Sequence, residues 1–190
     1  MPVAHSKAGR FVLHEGASVG LCPWREQERD RRAFFPTSTG FREETLILSG
    51  KRLQVARLLG RESTAEDNAL KVYRIVSADR ILGSVVARRV RGESGVIELL
   101  LAVGSDGAVV GSRLQRLREP ASAAHEIQSS IWHRAFVGKT SEAPWQLGVD
   151  IPNVSATARP SAVAILDAAR TLLVLLAVAD STKIAGEAHR

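Results

Sequence analysis

The sequence predicts an α+β domain in which an antiparallel β-sheet of about four strands packs against several helices. Two observations lead to this fold class. Between residues 71 and 117, four short segments rich in Val, Ile and Leu follow one another with only turn residues between them. On both sides of this region, the apolar residues recur instead at the spacing of an α-helix.

The predicted strands occupy the middle of the chain. Their segments are KVYRIVS, ILGSVVARRV, GVIELLLAV and AVVGSRLQRL, and turn residues such as Gly, Ser and Asp lie between them. Separations this short leave no room for the crossover helices that parallel strands need. We therefore expect an antiparallel meander with one face covered by helices.

Three helices are expected around this sheet. The first follows Ser49, a good N-cap residue, and ends at Gly60, a good C-terminal residue. The second carries a broad apolar face and ends before Gly138. The third runs from about Pro160 to Ala179 with an apolar stripe along its length. Proline is tolerated in its first turn because the missing N–H would have no helical partner there.

The pattern divides the chain into a lead-in, one domain and a tail. Residues 1–33 end in the charged run REQERDRR, which is typical of a solvated helix or a disordered segment. Residues 34–180 form the predicted domain, whose core is expected to begin at Phe34. Residues 181–190 form a C-terminal tail. A length of 190 residues fits one domain better than two.

Charge and residue counts exclude several kinds of site. The net charge of +6 favours a polyanion or an acidic protein partner, but no motif that reads DNA or RNA accompanies it, so a nucleic-acid partner is not expected. The single cysteine, Cys22, excludes an internal disulfide and any metal site built from several cysteines. His125 and His133 are too far apart on one helix for a zinc-binding pair, so no metal site is expected.

No membrane-spanning or secretory segment is expected. The first twenty residues lack a continuous apolar stretch of about 7 to 15 residues, so a chain that begins at Met1 would be cytoplasmic. The most apolar run, Leu172 to Ala179, is shorter than the ~20 residues that cross a bilayer. A buried amphipathic helix is the better interpretation of this run.

The order of several weak motifs resembles the FMN-binding domain family. These motifs are Phe34-Phe35-Pro36, an Asp-Gly turn before Arg-Glu-Pro at 118–120, the segment AFVGK, and VDIPNVSATARPSAVAILDAARTLL. The family includes the flavin-carrying subunits of sodium-pumping NADH:quinone oxidoreductase and related electron-transport complexes. The resemblance covers about residues 34–178. It implies an FMN-binding protein that relays electrons between membrane-linked redox partner proteins, in an extracytoplasmic location.

The resemblance also implies a flavin site before the last helix. In the family, the threonine of a Ser-Gly-Ala-Thr motif accepts FMN as a phosphoester, which a dedicated flavin transferase attaches. Asp150 precedes the corresponding segment here, and Thr157 aligns with the acceptor. A helix N-terminus suits a phosphate because its first N–H groups lack helical partners, and a neighbouring Arg adds positive charge. The predicted cofactor-binding residues are Asp150, Ser155, Ala156, Thr157, Arg159 and Glu119.

The attachment motif departs from the family pattern. Ser155 replaces the glycine, Val154 replaces a hydroxyl residue, and Arg159 and Pro160 replace the hydroxyl residues that follow. Asp150 also lies one residue farther from the threonine than in the family. Three states therefore stay open, namely covalent FMN at Thr157, non-covalent FMN, and a flavin-free binding or scaffold module that keeps the fold.

No catalytic residue is predicted. Glu119 and Asp150 are the only carboxylates considered for acid–base chemistry, and no pattern places them at a common substrate. Pairing of Glu119 with Arg116 or Arg118 is the ordinary alternative. Aromatic residues near the site either line a flavin ring or pack in the core, and these are Trp132, Phe136 and Trp145.

Overall fold

The structure is a computed structural model that describes residues 21–187, with side chains as far as Ser181. Residues 1–20 of the predicted lead-in and residues 188–190 of the predicted tail lie outside the described residues. The described part confirms the α+β class. Its five strands form one antiparallel sheet in the order in which they occur along the chain.

Each strand pairs with its neighbour in sequence, as in the expected meander. The last four strands correspond to the four predicted segments. The bounds are β1 Gly40–Ile47, β2 Ala69–Ser77, β3 Arg80–Arg91, β4 Val96–Gly104 and β5 Val109–Arg116.

The edge strand β1 was not predicted from the sequence. This edge strand has the sequence GFREETLI and pairs with β2 along its whole length, from Gly40 opposite Val76 to Ile47 opposite Ala69. Four of its eight residues are exposed, so it carries little of the alternating apolar pattern by which strands are recognised. Charged side chains on an edge strand also discourage pairing with other chains.

Five helices and two short 3₁₀ turns complete the described fold. The predicted first helix is present, and Gly60 ends it in the left-handed region at φ 71° as expected. The predicted N-cap was wrong, because Ser49 lies in a 3₁₀ turn and the helix begins after Lys51 without a side-chain cap. The predicted second helix is two short helices, because Ser129 interrupts it and its hydroxyl caps the next helix at the amide of Trp132. The bounds are α1 Gln27–Phe34, α2 Arg52–Leu59, α3 Ala121–Ile127, α4 Ser130–Arg134 and α5 Arg159–Glu187, with 3₁₀ turns at Ser49–Lys51 and Ala65–Asn68.

The long helix α5 crosses one face of the sheet and forms the main core with it. Ile165, Leu172 and Leu175 are fully buried there, and α2, α3 and α4 enlarge the same cluster. The segment Arg159–Ser181 is long and apolar enough to cross a membrane, yet 72% of its most apolar window is buried inside the protein. This burial is that of the central helix of a folded domain, as the sequence analysis expected.

The opposite face of the sheet is covered by residues 22–35. Cys22, Trp24 and Phe35 pack there against apolar side chains of β2, β3 and β4. The core therefore extends upstream of Phe34, where the sequence analysis expected it to begin. Helical periodicity was not visible in this segment because α1 is short and its sequence, QERDRRAF, is mostly charged.

An ion pair with a buried carboxylate connects residues 22–35 to the sheet. Glu98 on β4 is fully buried, and Arg25 donates two hydrogen bonds to its carboxylate, at 2.6 and 3.0 Å. Arg89 donates a third at 3.1 Å. The hydrogen bonds from Arg25 lower the pKa of Glu98, against burial, which raises it, and Arg89 adds to the lowering. Removal of both arginines would leave the buried charge of Glu98 uncompensated.

Trp24 provides a direct test of whether residues 22–35 belong to the core. Its ring is 3% exposed and packs with its centroid 5.3 Å from that of Phe41 and 5.2 Å from that of Tyr73. Substitution Trp24→Ala is expected to lower the free energy of unfolding by about 3–5 kcal/mol, measured by urea denaturation. The exposed Val149→Ala is the control, and an equal, small effect of both variants would contradict the assignment.

A partly buried imidazole makes the stability depend on pH. His133 on α4 lies with its Nδ1 2.7 Å from the hydroxyl oxygen of Ser112. Burial lowers the pKa of His133 to about 4, from an ordinary value of 6.5, against a backbone hydrogen bond at Ile127 that raises it. The unfolded chain therefore takes up a proton between these pH values before the folded chain does.

We expect the free energy of unfolding to fall as the pH falls from 6.5 towards 4. Substitution His133→Phe should flatten this decline, because the group that binds protons only in the unfolded chain is gone. Urea denaturation at a series of pH values measures it. His125→Gln on the exposed side of α3 should keep the decline. Equal slopes for His133→Phe and the wild type would refute the explanation.

Candidate functional site

The loop before α5 exposes the predicted acceptor residue. Ser155, Ala156 and Thr157 are all exposed, whereas Ala158 is buried under the start of the helix. The carbonyl of Ser155 accepts hydrogen bonds from the amides of Ala158 and Arg159, at 3.1 and 3.0 Å, so a tight turn leads directly into α5. Thr157 thus lies at the surface, beside the positive end of a 29-residue helix.

A carboxylate from α3 already binds this loop. The amide of Ser155 donates to Oε2 of Glu126 at 2.7 Å, and the hydroxyl of Ser155 donates to Oε1 at 2.5 Å. The Oγ atom of Ser155 is also 3.0 Å from Oγ1 of Thr157. Two donors of one residue therefore converge on the two oxygens of one anionic group. Ser155 and Glu126 are 29 residues apart, so no sequence spacing pointed to Glu126.

These contacts change the acidity of Glu126. The hydroxyl and then the amide of Ser155 lower the pKa of its carboxyl group, because both donate to the ionised form. A lowered pKa means that the contact stabilises the folded chain above the ordinary glutamate pKa. This contribution is lost as the pH falls through the lowered value.

Arg159 turns away from the hydroxyl of Thr157. Its Nη1 donates to Oδ1 of Asn153 at 3.3 Å. Its side chain lines a groove of about 370 Å³ between α5 and the segment 145–147. Arg170, further along α5, lines the same groove. Arg159, which was predicted to add positive charge beside a phosphate at Thr157, therefore lies on the side of the helix start that faces Trp145.

Asp150 organises the loop that follows α4 instead of contacting Thr157. Its carboxylate accepts hydrogen bonds from Nζ of Lys139 and, at 2.7 Å, from the amide of Gln146. Burial raises the pKa of Asp150, but the hydrogen bonds from Lys139 and Gln146 outweigh burial and leave the pKa below its usual value. The same Lys139 ammonium lies 5.5 Å from the ring centroid of Trp145. This Asp150–Lys139 pair fixes the position of Trp145 next to the groove.

Glu119 lies at the same end of the sheet, against the first turn of α5. Its carboxylate accepts the amide of Ser94 at 3.2 and 3.3 Å, and does not use Arg116 or Arg118 as its partner. A Cβ at Gly92 would lie 2.2 Å from Oε1 of Glu119 and 2.9 Å from Oγ of Ser161, so a larger residue there would displace these side chains. The turn between β3 and β4 is therefore clamped between Glu119 and the helix start.

The structure thus brings together part of the predicted set. Ser155, Ala156 and Thr157 share the exposed turn, and Glu119 lies at the same end of the sheet, where its partners are protein groups. Asp150 and Arg159 lie on the side of the helix start that faces Trp145. The residue that sequence reasoning missed is Glu126.

The aromatic residues near the site divide into two roles. Trp132 and Phe136 are buried in the main core, with ring centroids 4.9 Å apart. Trp145 is partly buried, lies edge-on to Phe136 at 5.3 Å, and lines the groove beside Arg159. Of the three, Trp145 is therefore the one that offers a surface to a ligand in this groove.

Comparisons with known proteins add no assignment: no protein-family model matches the chain, and no curated protein matches it. In the part of the chain that the structure describes, no group of three or more His, Cys, Asp or Glu side chains is placed to hold a metal ion. The geometry of the loop before α5 therefore carries the functional argument.

The contact between Ser155 and Glu126 can be tested by titration. Substitution Ser155→Ala removes the hydroxyl donor and keeps the amide, so the pKa of Glu126 should rise towards its ordinary value. The carboxyl carbon shift of Glu126, followed by NMR against pH, measures it. Ser141→Ala, whose hydroxyl belongs to another loop, should leave the titration unchanged. A pKa unaffected by Ser155→Ala would show that the contact is absent in solution.

Proposed function

We propose that the protein binds FMN with the flavin phosphate at the loop before α5 and serves as an electron carrier. One observation carries the proposal, namely the convergence of the amide and hydroxyl of Ser155 on both oxygens of a carboxylate. A phosphate offers the same pair of acceptor oxygens to the same donors. The order of motifs that resembles the FMN-binding domain family supports the choice of flavin over other phosphate ligands.

In this proposal the chain positions the cofactor, and bound FMN supplies the redox chemistry through its isoalloxazine ring. Ser155 and Thr157 hold the phosphate when Glu126 moves aside. The groove next to Trp145 offers an apolar wall for an aromatic ring, with Arg159 at its edge. The net charge of +6 favours docking on an acidic redox partner protein.

Covalent attachment of FMN at Thr157 is the more demanding version of this proposal. Thr157 is exposed and lies in a turn, so its hydroxyl is accessible to a flavin transferase. The phosphodiester formed there would carry one negative charge near Glu126, which disfavours the present position of that carboxylate. Covalent loading therefore requires Glu126 to release Ser155.

A second candidate function rests on the same contact. The carboxylate of Glu126 accepts the hydrogen bonds of the Ser155 amide and hydroxyl without any ligand, and it repels a second anion. This observation favours a binding or scaffold module that keeps the fold and has no flavin. The two candidates differ in what happens when the negative charge of Glu126 is removed.

Flavin titration of matched variants separates the candidates. In the electron carrier, Glu126→Gln should raise the affinity for FMN several-fold, because a like charge next to the phosphate is gone. Riboflavin, which lacks the phosphate, should show no such gain. Glu142→Gln, an exposed carboxylate on another loop, is the control variant. Quenching of flavin fluorescence measures the affinity of the wild type and of both variants for each of the two ligands.

Covalent attachment is tested by co-expression with a flavin transferase. Loaded protein should be yellow, its intact mass should increase by one FMN moiety, and Thr157→Val should abolish the increase. Thr140→Val is the control and should load normally. Bare-chain mass after co-expression, together with no FMN affinity in either the wild type or Glu126→Gln, would exclude the electron carrier and leave the flavin-free module.

A further inference from the structure

The helix α2 exposes a large aliphatic side chain on its outer side. Leu53 is 86% exposed, whereas Val55 and Leu59, on the opposite side of the same helix, are buried in the core. Ile47, at the end of β1 just before this helix, is 70% exposed. Two large apolar residues close in sequence are therefore exposed to solvent.

Cationic side chains surround Leu53. Lys51, Arg52 and Arg57 line, together with Leu53, one concave surface of about 510 Å³ at the start of α2. The stretch LILSGKRLQVARLLG, residues 46–60, contains these three cations and no acidic residue. This surface, which we call the α2 surface, is thus both basic and apolar. Other arginines, such as Arg25, Arg74 and Arg113, are instead paired with carboxylates.

We propose that the α2 surface docks the protein on a bilayer that contains anionic lipids. Leu53 and Ile47 would enter the boundary between headgroups and acyl chains, while Lys51, Arg52 and Arg57 remain at the level of the lipid phosphates. The inner apolar side of α2 is packed in the core, and its outer side combines the exposed Leu53 with flanking cations. Apolar and cationic side chains contribute together in the same way when a helix binds a membrane interface. The inference concerns a different part of the molecule from the loop before α5 and holds whether or not flavin binds.

The apolar component distinguishes a bilayer from a nucleic acid. A phosphate backbone would attract the three cations but offers no apolar phase for Leu53. Proteins that bind single strands stack bases on aromatic side chains, and residues 46–60 contain none. An anionic bilayer binds both components of the α2 surface, because its headgroups attract the cations and its acyl chains accept the Leu side chain.

The expected binding is weak and reversible. Each cation near an anionic surface strengthens binding about fivefold, and insertion of one Leu side chain strengthens it about tenfold or more. Leu53 and the three cations together raise the affinity for the membrane roughly a thousandfold. This gain is comparable to that from one component of a two-part membrane anchor. The attachment should therefore depend strongly on the fraction of anionic lipid and on ionic strength.

Vesicle co-sedimentation with the full chain tests the proposal. Binding is expected to vesicles of phosphatidylcholine mixed with phosphatidylglycerol, and not to phosphatidylcholine alone. The double variant Lys51→Gln with Arg57→Gln should lose roughly thirtyfold in affinity. Leu53→Gln should lose about tenfold, also at high salt. Arg80→Gln, at the exposed start of β3, and Val149→Gln, on an exposed loop, are the controls and should bind as the wild type does.

A fluorescent label reports whether residue 53 enters the lipid. Cys22 is 5% exposed and burial raises the pKa of its thiol to about 11, so a maleimide dye should react selectively with the variant Leu53→Cys. Emission of a polarity-sensitive dye at this position should shift to the blue on anionic vesicles. The same dye on Val149→Cys should not shift.

Several results would overturn the proposal. These are absence of binding to anionic vesicles, equal losses in the control variants, or a dye at residue 53 that stays in water on bound vesicles. Binding to a single-stranded oligonucleotide that requires the three cations but not Leu53, with no vesicle binding, would assign the surface to nucleic acid instead. Thermal unfolding of each variant checks that the surface substitutions leave the fold intact.

Discussion

The packing of α5 across the antiparallel sheet is the interaction on which the rest of the structure depends. Small residues on the buried side of the helix, such as Ala162 and Ala169, let the backbone approach β3 and β4 closely. The helix start is then held at the sheet end by Ser161, whose hydroxyl accepts the amide of Glu93 at 2.8 Å. Since this position is fixed, the loop that carries Thr157 has a defined place on the surface.

The loop before α5 illustrates how one arrangement supports two opposite functions. Exposed donors beside a helix N-terminus attract an anion, and the protein supplies its own in the carboxylate of Glu126. An internal carboxylate of this kind stabilises the free loop and competes with any phosphate for it. The affinity for an external anion therefore depends on the balance between this contact and the contacts that the ligand brings.

The distribution of arginines shows that a net charge of +6 is a poor guide to where partners bind. Arg25 and Arg89 neutralise the buried Glu98, and Arg61 and Arg88 do the same for Asp67. These arginines hold the N-terminal segment and the 3₁₀ turn Ala65–Asn68 in place, and the carboxylates cancel part of the charge that they carry. The cations available to a partner are those of surfaces without acidic residues, of which the α2 surface is one.

The sequence by itself determined the α+β class, four of the strands, α2 and α5, because each has a strong apolar period and clear end signals such as Gly60. Only the tertiary structure decided the roles of β1, of residues 22–35 and of Glu126. A charged strand such as β1 can be identified only from its pairing with β2. Trp24 belongs to the core because it packs on the sheet face that α5 does not cover. Glu126 reaches Ser155 across 29 residues, and such contacts between distant residues leave no local pattern in the sequence.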